Sequence, residues 1–181
     1  VDARIRVVSP TAGIDRRGRL AISAYPRELE REVTLPGIGA AVLRPIRPDD
    51  ASELRALFDA RSPEDVRLRF FHPLGSLSEE QVARFTQIDY DREMAFVLEA
   101  GRVLLGVARL MADPDRERAE FAVTVRSALK GRGIGRLLMQ HLIDYARQRN
   151  IGKVFGEILP ENALMIALAQ ELGFRLDRSG D

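Results

Sequence analysis

Val123-Thr124-Val125-Arg126-Ser127-Ala128-Leu129-Lys130-Gly131-Arg132-Gly133-Ile134-Gly135 is the stretch whose reading decides the fold. It begins as the end of an apolar strand and finishes in alternating glycines. Behind it Leu137, Leu138, His141, Leu142 and Tyr145 recur with Ile134 at helical spacing, so the glycines stand where a strand hands over to a helix. Glycine lets backbone come close to a ligand, and the first amides of a helix point outward with the positive end of its dipole. Lys130, Arg132 and Arg136 add local positive charge. A diphosphate is the natural guest of such a cradle. From the glycines alone, a helix start that holds nothing would read the same way.

Spacing separates the familiar phosphate motifs. A Walker loop needs a Gly-Lys-Ser/Thr end, which is absent. A dinucleotide fingerprint needs a glycine where Arg136 stands and should follow its strand at once, whereas Arg126-Ser127-Ala128-Leu129-Lys130 intervene. Only Glu157, at the end of the next strand, imitates that fingerprint's ribose-binding acid.

The basic cluster is local in a chain with almost no net charge. Lys and Arg total 28 against 27 for Asp and Glu, a formal +1, which gives no global attraction to nucleic acid or an anionic membrane. With 181 residues, 45% hydrophobic and 30% charged, the chain fits one main globular domain plus a small segment. The absence of cysteine excludes a disulfide framework, a thiolate metal site and a cysteine nucleophile. His72 and His141 are the only histidines, so no metal site is expected. No apolar run reaches the ~20 residues that span a bilayer, and the start lacks the pattern of a signal peptide. A cytoplasmic location is the expectation. The chain opens at Val1 on strand-like stretches, residues 3–8 and 19–24, and reads as an excised piece.

Pro36-Gly37-Ile38-Gly39 is the strongest turn cluster of the first quarter and sets an expected boundary, with residues 1–38 the tail of a preceding domain or a linker and 39–181 the main domain. Beyond it, residues 41–46 read as a strand. Pro48-Asp49-Asp50 opens a helix carrying Ala51, Leu54, Leu57 and Phe58 on one face, and residues 63–71 and 78–85 show shorter helical patterns. Strand-like runs 94–99 and 103–111 flank Ala100-Gly101-Arg102, a plausible hairpin turn, and residues 118–125 form a third strand. Residues 153–158 read as a strand and 162–172 as a helix, with an extended piece starting at Gly173-Phe174. Antiparallel strands in the middle and strand–helix alternation at the end predict an α/β fold, a mixed sheet with helices on both faces.

The opening stretch resembles the acetyl-CoA-binding motif of the GNAT acetyltransferase superfamily, an apolar strand end followed by Q/R-x-x-G-x-G/A, with Lys130 at the Q/R position. Asn162, followed eleven and twelve residues later by Gly173 and Phe174, resembles the family's second motif. The resemblance implies that acetyl-CoA lies along Val123, Thr124 and Val125, its pantetheine arm paired to the backbone of Val123 and Val125. The loop from Lys130 and Gly131 would then deliver its diphosphate to the amides of Arg132, Gly133, Ile134, Gly135 and Arg136, with Asn162 beside it. It also implies that the sheet lacks a last strand, because the family adds one after the Gly-Phe pair. Leu43-Arg44-Pro45-Ile46-Arg47-Pro48-Asp49-Asp50, Arg67-Leu68-Arg69-Phe70-Phe71 and Asp89-Tyr90-Asp91-Arg92-Glu93-Met94-Ala95-Phe96 are similar to the catalytic domain of bacterial two-domain protein lysine acetyltransferases, which place an acyl-CoA-synthetase-like domain first. Residues 1–38 resemble the tail of that domain. The likeness implies transfer to a lysine on a protein, with an acyl-CoA synthetase as a target.

An amine attacks a thioester only as the neutral base, and with a lysine pKa near ~10.4 the neutral form costs roughly 4.6 kcal/mol at pH 7. Glu120, set in the apolar strand Ala119-Glu120-Phe121-Ala122-Val123, is the candidate base; a solvated carboxylate on a sheet face would look the same. The family's catalytic glutamate falls at this position. The amide of Val125 or a neighbour would polarise the thioester carbonyl. The tyrosine that the family often uses as an acid, seven residues after its asparagine, is Ala169 here, and neither Tyr90 nor Tyr145 matches it. Asp89, Asp91 and Glu93 could draw a lysine in, although turn chemistry also explains aspartates there. The arginines of residues 61–69 suit a solvated helix face or contacts with a protein partner, and His141 suits a packed core. Acetylation of a small amine and acetyl-CoA sensing without catalysis are the alternative functions.

Overall fold

A computed structural model describes residues 23–62 and 76–177 of the chain. Six strands lie side by side in chain order: β1 (Arg31–Leu35), β2 (Gly39–Pro45), β3 (Glu93–Ala100), β4 (Val103–Ala112), β5 (Arg118–Val125) and β6 (Lys153–Phe155). Neighbours from β1 to β5 are antiparallel, and β5 with β6 is the parallel pair. The helices among the described residues are α1 (Ala51–Asp59), α2 (Glu79–Thr86), α3 (Ile134–Gln148) and α4 (Ala163–Glu171).

Strand alternation divides the apolar residues between two cores. On one face Met94, Phe96, Leu110 and Phe121 meet Ile134, Leu138 and Leu142 of α3. On the other, Ala95, Val97 and Val107 meet Leu54 and Leu57 of α1 and Val82 of α2. The sheet is thus mixed and covered by helices on both faces, as the sequence predicts. His141 is a core residue of the first face, its ring edge-on to Phe96 with centroids 4.3 Å apart. α2 starts at a capping box, in which Gln81 N donates to Ser78 Oγ at 3.2 Å and Ser78 N donates to the Gln81 side chain at 2.9 Å.

Two expectations change. The Pro36–Gly39 cluster is the turn of the β1–β2 hairpin, with Leu35 paired to Gly39, so the boundary expected after residue 38 falls inside the sheet. Residues ahead of β1 are tied in as well. The Tyr25 hydroxyl donates to Glu30 at 2.8 Å, and the Arg47 guanidinium stacks 4.6 Å over the Tyr25 ring. The strand expected over 153–158 stops at Phe155. Asn162 is the N-cap of α4, its side chain accepting from Met165 N at 3.2 Å. After α4 no described residue forms a strand. The helical pattern at 63–71, His72, the early strand at 3–8 and most of the one at 19–24 lie outside the described residues.

Arg44 joins β2, β3 and the start of α1. It donates to Asp50 through two nitrogens at 2.8 and 2.6 Å and to Glu99 at 2.8 Å, and the side chains of Arg44 and Asp50 are only 6% and 9% exposed. Burial works against the Arg44 charge, yet its hydrogen bonds to Asp50 and Glu99 outweigh that and hold its pKa above the usual arginine value.

Removing one partner of a buried pair strands the other charge. Arg44→Ala should therefore lower unfolding stability by about 3 kcal/mol or more, read from urea titrations against the parent chain. A loss below about 1 kcal/mol would show that water reaches Asp50 and Glu99. His141 gives a pH-dependent outcome. Its Nε2 finds no hydrogen-bond partner among the described residues, and burial, then the positive charge of Arg31, push its pKa down. The unfolded chain therefore takes up a proton first as pH falls through about 6.5, and stability drops from there toward the lower folded value. Urea midpoints at pH 8 and pH 5.5 should differ more for the parent than for His141→Gln.

Candidate active site

β5 and β6 pair over three rungs only: Arg118 with Lys153, Ala119 with Val154, and Glu120 with Phe155. Beyond that rung β6 ends while β5 continues to Val125, and the strands part. A cleft of about 450 Å³ opens in the gap, lined by residues 121–125 on one side and by Glu157 and Ile158 on the other. Its walls run on to the glycine loop, the start of α3, and Asn162, Met165 and Leu168 at the start of α4.

The edge of β5 facing the gap is polar backbone. Arg126 N donates to the Leu105 carbonyl at 2.9 Å and Asp113 N to the Arg118 carbonyl at 2.9 Å, which fixes the parity of the ladder. Even-numbered residues of β5 aim their amides and carbonyls at β4; Phe121, Val123 and Val125 aim theirs into the cleft. Val123 and Val125 are the strand positions that the resemblance assigns to the pantetheine arm, and Thr124 between them pairs back to β4.

At the other end of the cleft Gly131 and Gly133 take φ of 75° and 79°, a region that disfavours side chains. Nothing lies within 4 Å of the place where a Cβ would stand on either, so the loop is open above its backbone. Gly133 is the N-cap of the 15-residue α3 and supplies no side-chain cap, so the first-turn amides face outward with the helix dipole behind them. Lys130 and Gly131 line the approach, with Gly135 and Ile134 behind them. Arg136 lines the wall and pairs with Glu171 across to α4 at 2.5 Å, and Arg132 is exposed. Outward amides, bare glycines and nearby cations suit a diphosphate.

Glu120 stands on the last paired rung, half-buried, where the strands separate. Register places Glu93, Met111 and Glu120 opposite one another across β3, β4 and β5, on the face that carries α1 and α2. Two strand spacings put the Glu93 and Glu120 backbones about 10 Å apart. Met111, which the sequence pattern marks only as a strand residue, is exposed between them. Glu93 pairs with Arg109, whose guanidinium also donates to the Phe85 carbonyl at 2.5 Å and lies 4.9 Å over the Phe85 ring. Burial lowers the Arg109 pKa, and the Glu93 charge opposes that shift.

The structure does not bring Asp89 and Asp91 to the cleft. Asp91 accepts from Ser23 Oγ at 2.5 Å and pairs with Arg149, just past α3, at 3.4 Å; Asp89 lies 4.0 Å from Arg92 in the turn before β3. Local partners hold both carboxylates there. Ala169 is buried and offers no acid. The Tyr90 hydroxyl donates to the Ile46 carbonyl at 2.6 Å, and Tyr145 packs edge-on to Phe96 with centroids 5.4 Å apart. Among the described residues no group of three or more His, Asp or Glu is arranged to hold a metal, and no helix is long and apolar enough to cross a membrane.

Residues 54–174 match the Acetyltransferase (GNAT) family. The chain is 31% identical over 144 residues to "Acetyltransferase PA5475" of Pseudomonas aeruginosa, covering 77% of each protein. It is 37% identical over 70 residues to the N-alpha-acetyltransferase RimI of Mycobacterium tuberculosis, a match spanning 39% of this chain and 42% of that one. Among solved structures, the GNAT domain of S. lividans PAT superposes with a TM-score of 0.80 and 32% identity, over 87% of this chain and 94% of that domain. The fold is shared with the spermidine N-acetyltransferase of Vibrio cholerae, solved with CoA and spermine, at a TM-score of 0.63, 24% identity, and coverage of 76% and 82%.

The cradle predicts its own failure. Gly133→Asp puts a side chain at a φ of 79° and a negative charge among the outward amides, so acetyl-CoA binding measured by calorimetry should be essentially lost while circular dichroism is retained. Parent-like affinity in that variant would remove the diphosphate from this helix start.

Proposed function

Since the chain belongs to the GNAT acetyltransferase family and is an N-acetyltransferase that draws on acetyl-CoA, we propose that its acceptor is a lysine side chain on another protein and that Glu120 is the base. The observation that carries this reading is the position of Glu120 on the last rung of the β5–β6 pair, one residue before Phe121, where the β5 lining of the cleft begins. With the diphosphate at α3 and the pantetheine arm along the β5 edge, the thioester end arrives beside it. The resemblance to bacterial two-domain protein lysine acetyltransferases supports a protein acceptor, with acyl-CoA synthetases as the target class.

The chemistry follows from what each group can hold. Glu120 takes the proton that the ammonium must shed, directly or through one water. The free nitrogen then attacks the carbonyl carbon; the nitrogen–carbon bond forms, the carbon–sulfur bond breaks, and the coenzyme leaves as a thiolate. An amide of the edge set at Phe121, Val123 and Val125 polarises the carbonyl oxygen. With alanine at position 169, the thiolate leaves without a tyrosine, and the second proton that the nitrogen sheds as the amide forms passes to it through water. A chain without cysteine forms no thiol-linked acetyl-enzyme, so transfer is direct.

Lysine makes the heaviest demand on a base. An α-amino group with a pKa near ~8 costs only about 1 kcal/mol to hold neutral at pH 7, against roughly 4.6 kcal/mol for lysine. Exposed Met111 beside Glu120 offers an apolar surface for the methylenes of a lysine stem, and Glu93 a second carboxylate on the same face.

Mass spectrometry after incubation with labelled acetyl-CoA and three acceptors (a lysine peptide blocked at its N-terminus, a lysine-free peptide with a free N-terminus, and a polyamine) separates lysine from the α-amine and small-amine alternatives. Label confined to either of the last two would end the lysine reading. For Glu120→Gln, kcat/KM on the preferred lysine peptide at pH 7 should fall ~10²- to 10⁴-fold with acetyl-CoA affinity kept, and recover in part as pH rises and more lysine is neutral. An unchanged neutral-pH rate, with chemistry rate-limiting, would make Glu120 structural.

A further inference from the structure

The gap between β5 and β6 is closed on one face of the sheet. Past the Glu120–Phe155 rung come Phe121 on β5 and Gly156 just beyond the end of β6. A Cβ on Gly156 would lie 2.7 Å from Cε1 and 2.8 Å from Cζ of Phe121, so the phenyl ring already occupies the space of a β6 side chain. Glycine at 156 is what allows that approach. The ring is 6% exposed, and behind it stands Phe174, with ring centroids 5.2 Å apart. Two aromatic rings thus plug the fork on the α3 face, whereas Glu120 faces the α1 and α2 side of the same fork.

We propose that Phe121, seated over Gly156 and backed by Phe174, sets the length of acyl chain that the cleft accepts. The proposal rests on the reading of the cleft as the acyl-CoA site, with the acyl end at the fork. Four residues of β5 edge, about 13 Å, separate Val125 from Phe121, and the thioester is delivered to the Phe121 end of that run. A methyl group stops short of the ring. A longer chain has two directions open to it, and each obstructs the reaction. Toward α3 it meets the Phe121 ring, which Phe174 keeps from yielding. Toward α1 and α2 it fills the side from which an acceptor must reach Glu120. Short acyl groups are therefore preferred, and Phe121 is the specificity-determining side chain.

The test uses the whole chain and three thioesters: acetyl-CoA, butyryl-CoA and hexanoyl-CoA. Phe121→Leu keeps a branched apolar side chain in the core but shortens it, and Phe174→Ala removes only the half-buried backing. One variant reports even where the other loses its circular dichroism signal. Dissociation constants by calorimetry need no acceptor, so the result does not depend on lysine being the substrate. Relative to acetyl-CoA, butyryl-CoA should gain in affinity about fourfold for each of its two added methylenes that the vacated space buries, about fifteenfold with both buried, with hexanoyl-CoA moving the same way. That shift supports the gate even if no lysine peptide is acetylated. Unchanged acyl ratios in the folded variants, with acetyl-CoA still bound, would overturn it and leave Phe121 as core packing. No acetyl-CoA binding by the parent chain would overturn the gate and the cleft assignment together.

Discussion

Everything at the candidate site depends on one pairing that stops. β5 is hydrogen-bonded along its whole length to β4, yet to β6 over three rungs only. A strand held on one edge keeps its extended geometry, and on the other it presents amides and carbonyls that no strand satisfies. Such an edge invites either aggregation or a ligand with alternating donors and acceptors. Here it lies inside a cleft between β5, β6 and α4, so another strand cannot easily reach it. The pantetheine arm, with its two amides, has the matching chemistry.

The parting has to be enforced, and both cores contribute to that. α3 covers the sheet through Ile134, Leu138 and Leu142, which fixes where its N-terminus meets the end of β5. Gly106 on β4 lets it lie close, since a Cβ there would come within 2.9 Å of Leu138 and of the Thr124 carbonyl. On the opposite face the buried Arg44, Asp50 and Glu99 cluster ties the start of α1 to β2 and β3. A cluster of that kind adds little net stability over an apolar equivalent, but it tolerates few alternative arrangements. α1 ends near the cleft, where Ser62 N donates to Ser127 Oγ at 2.9 Å in the loop that leads to the glycines.

How much of this was legible in the sequence depended on whether a local pattern has one structural meaning. The glycine run did, because a strand end, basic residues and an amphipathic helix all converge on it, and it gave both the cradle and the order of elements. The Pro36–Gly39 cluster did not. Turn chemistry is the same whether a turn separates domains or closes a hairpin, and only the Arg31–Leu35 pairing with β2 decides between them. Residues 153–158 misled for a related reason: an apolar extended run reads as a strand whether or not a partner continues alongside it. Asp89, Asp91 and Glu93 look equivalent in sequence. Register separates them, placing Glu93 on the rung of Glu120 while Arg149 and Ser23 hold Asp91 elsewhere. Met111 carried no signal, since exposure of one apolar residue within a strand depends on what packs over it.

The two faces of the sheet therefore divide the work at the fork. On the α3 side Phe121 and Phe174 pack together at the fork, and large buried side chains are concentrated there. On the α1 and α2 side stand two carboxylates, Glu120 at the fork and Glu93 bound to Arg109, with the exposed, apolar Met111 between them. Glu93 is already committed to a cation, so it attracts an incoming ammonium less than a free carboxylate would. Arg109 in turn is fixed by the Phe85 carbonyl and ring, so the charge distribution beside Glu120 is set by packing against α2. Under the proposed reading, Glu120 is a half-buried base beside the cleft, with its neighbouring carboxylate paired and the α3 face of the fork closed, so an acceptor would reach it from the α1 and α2 side. The coenzyme arm would run instead along the β5 edge, so the two substrates would meet at the fork from different sides, as direct transfer between two bound substrates requires.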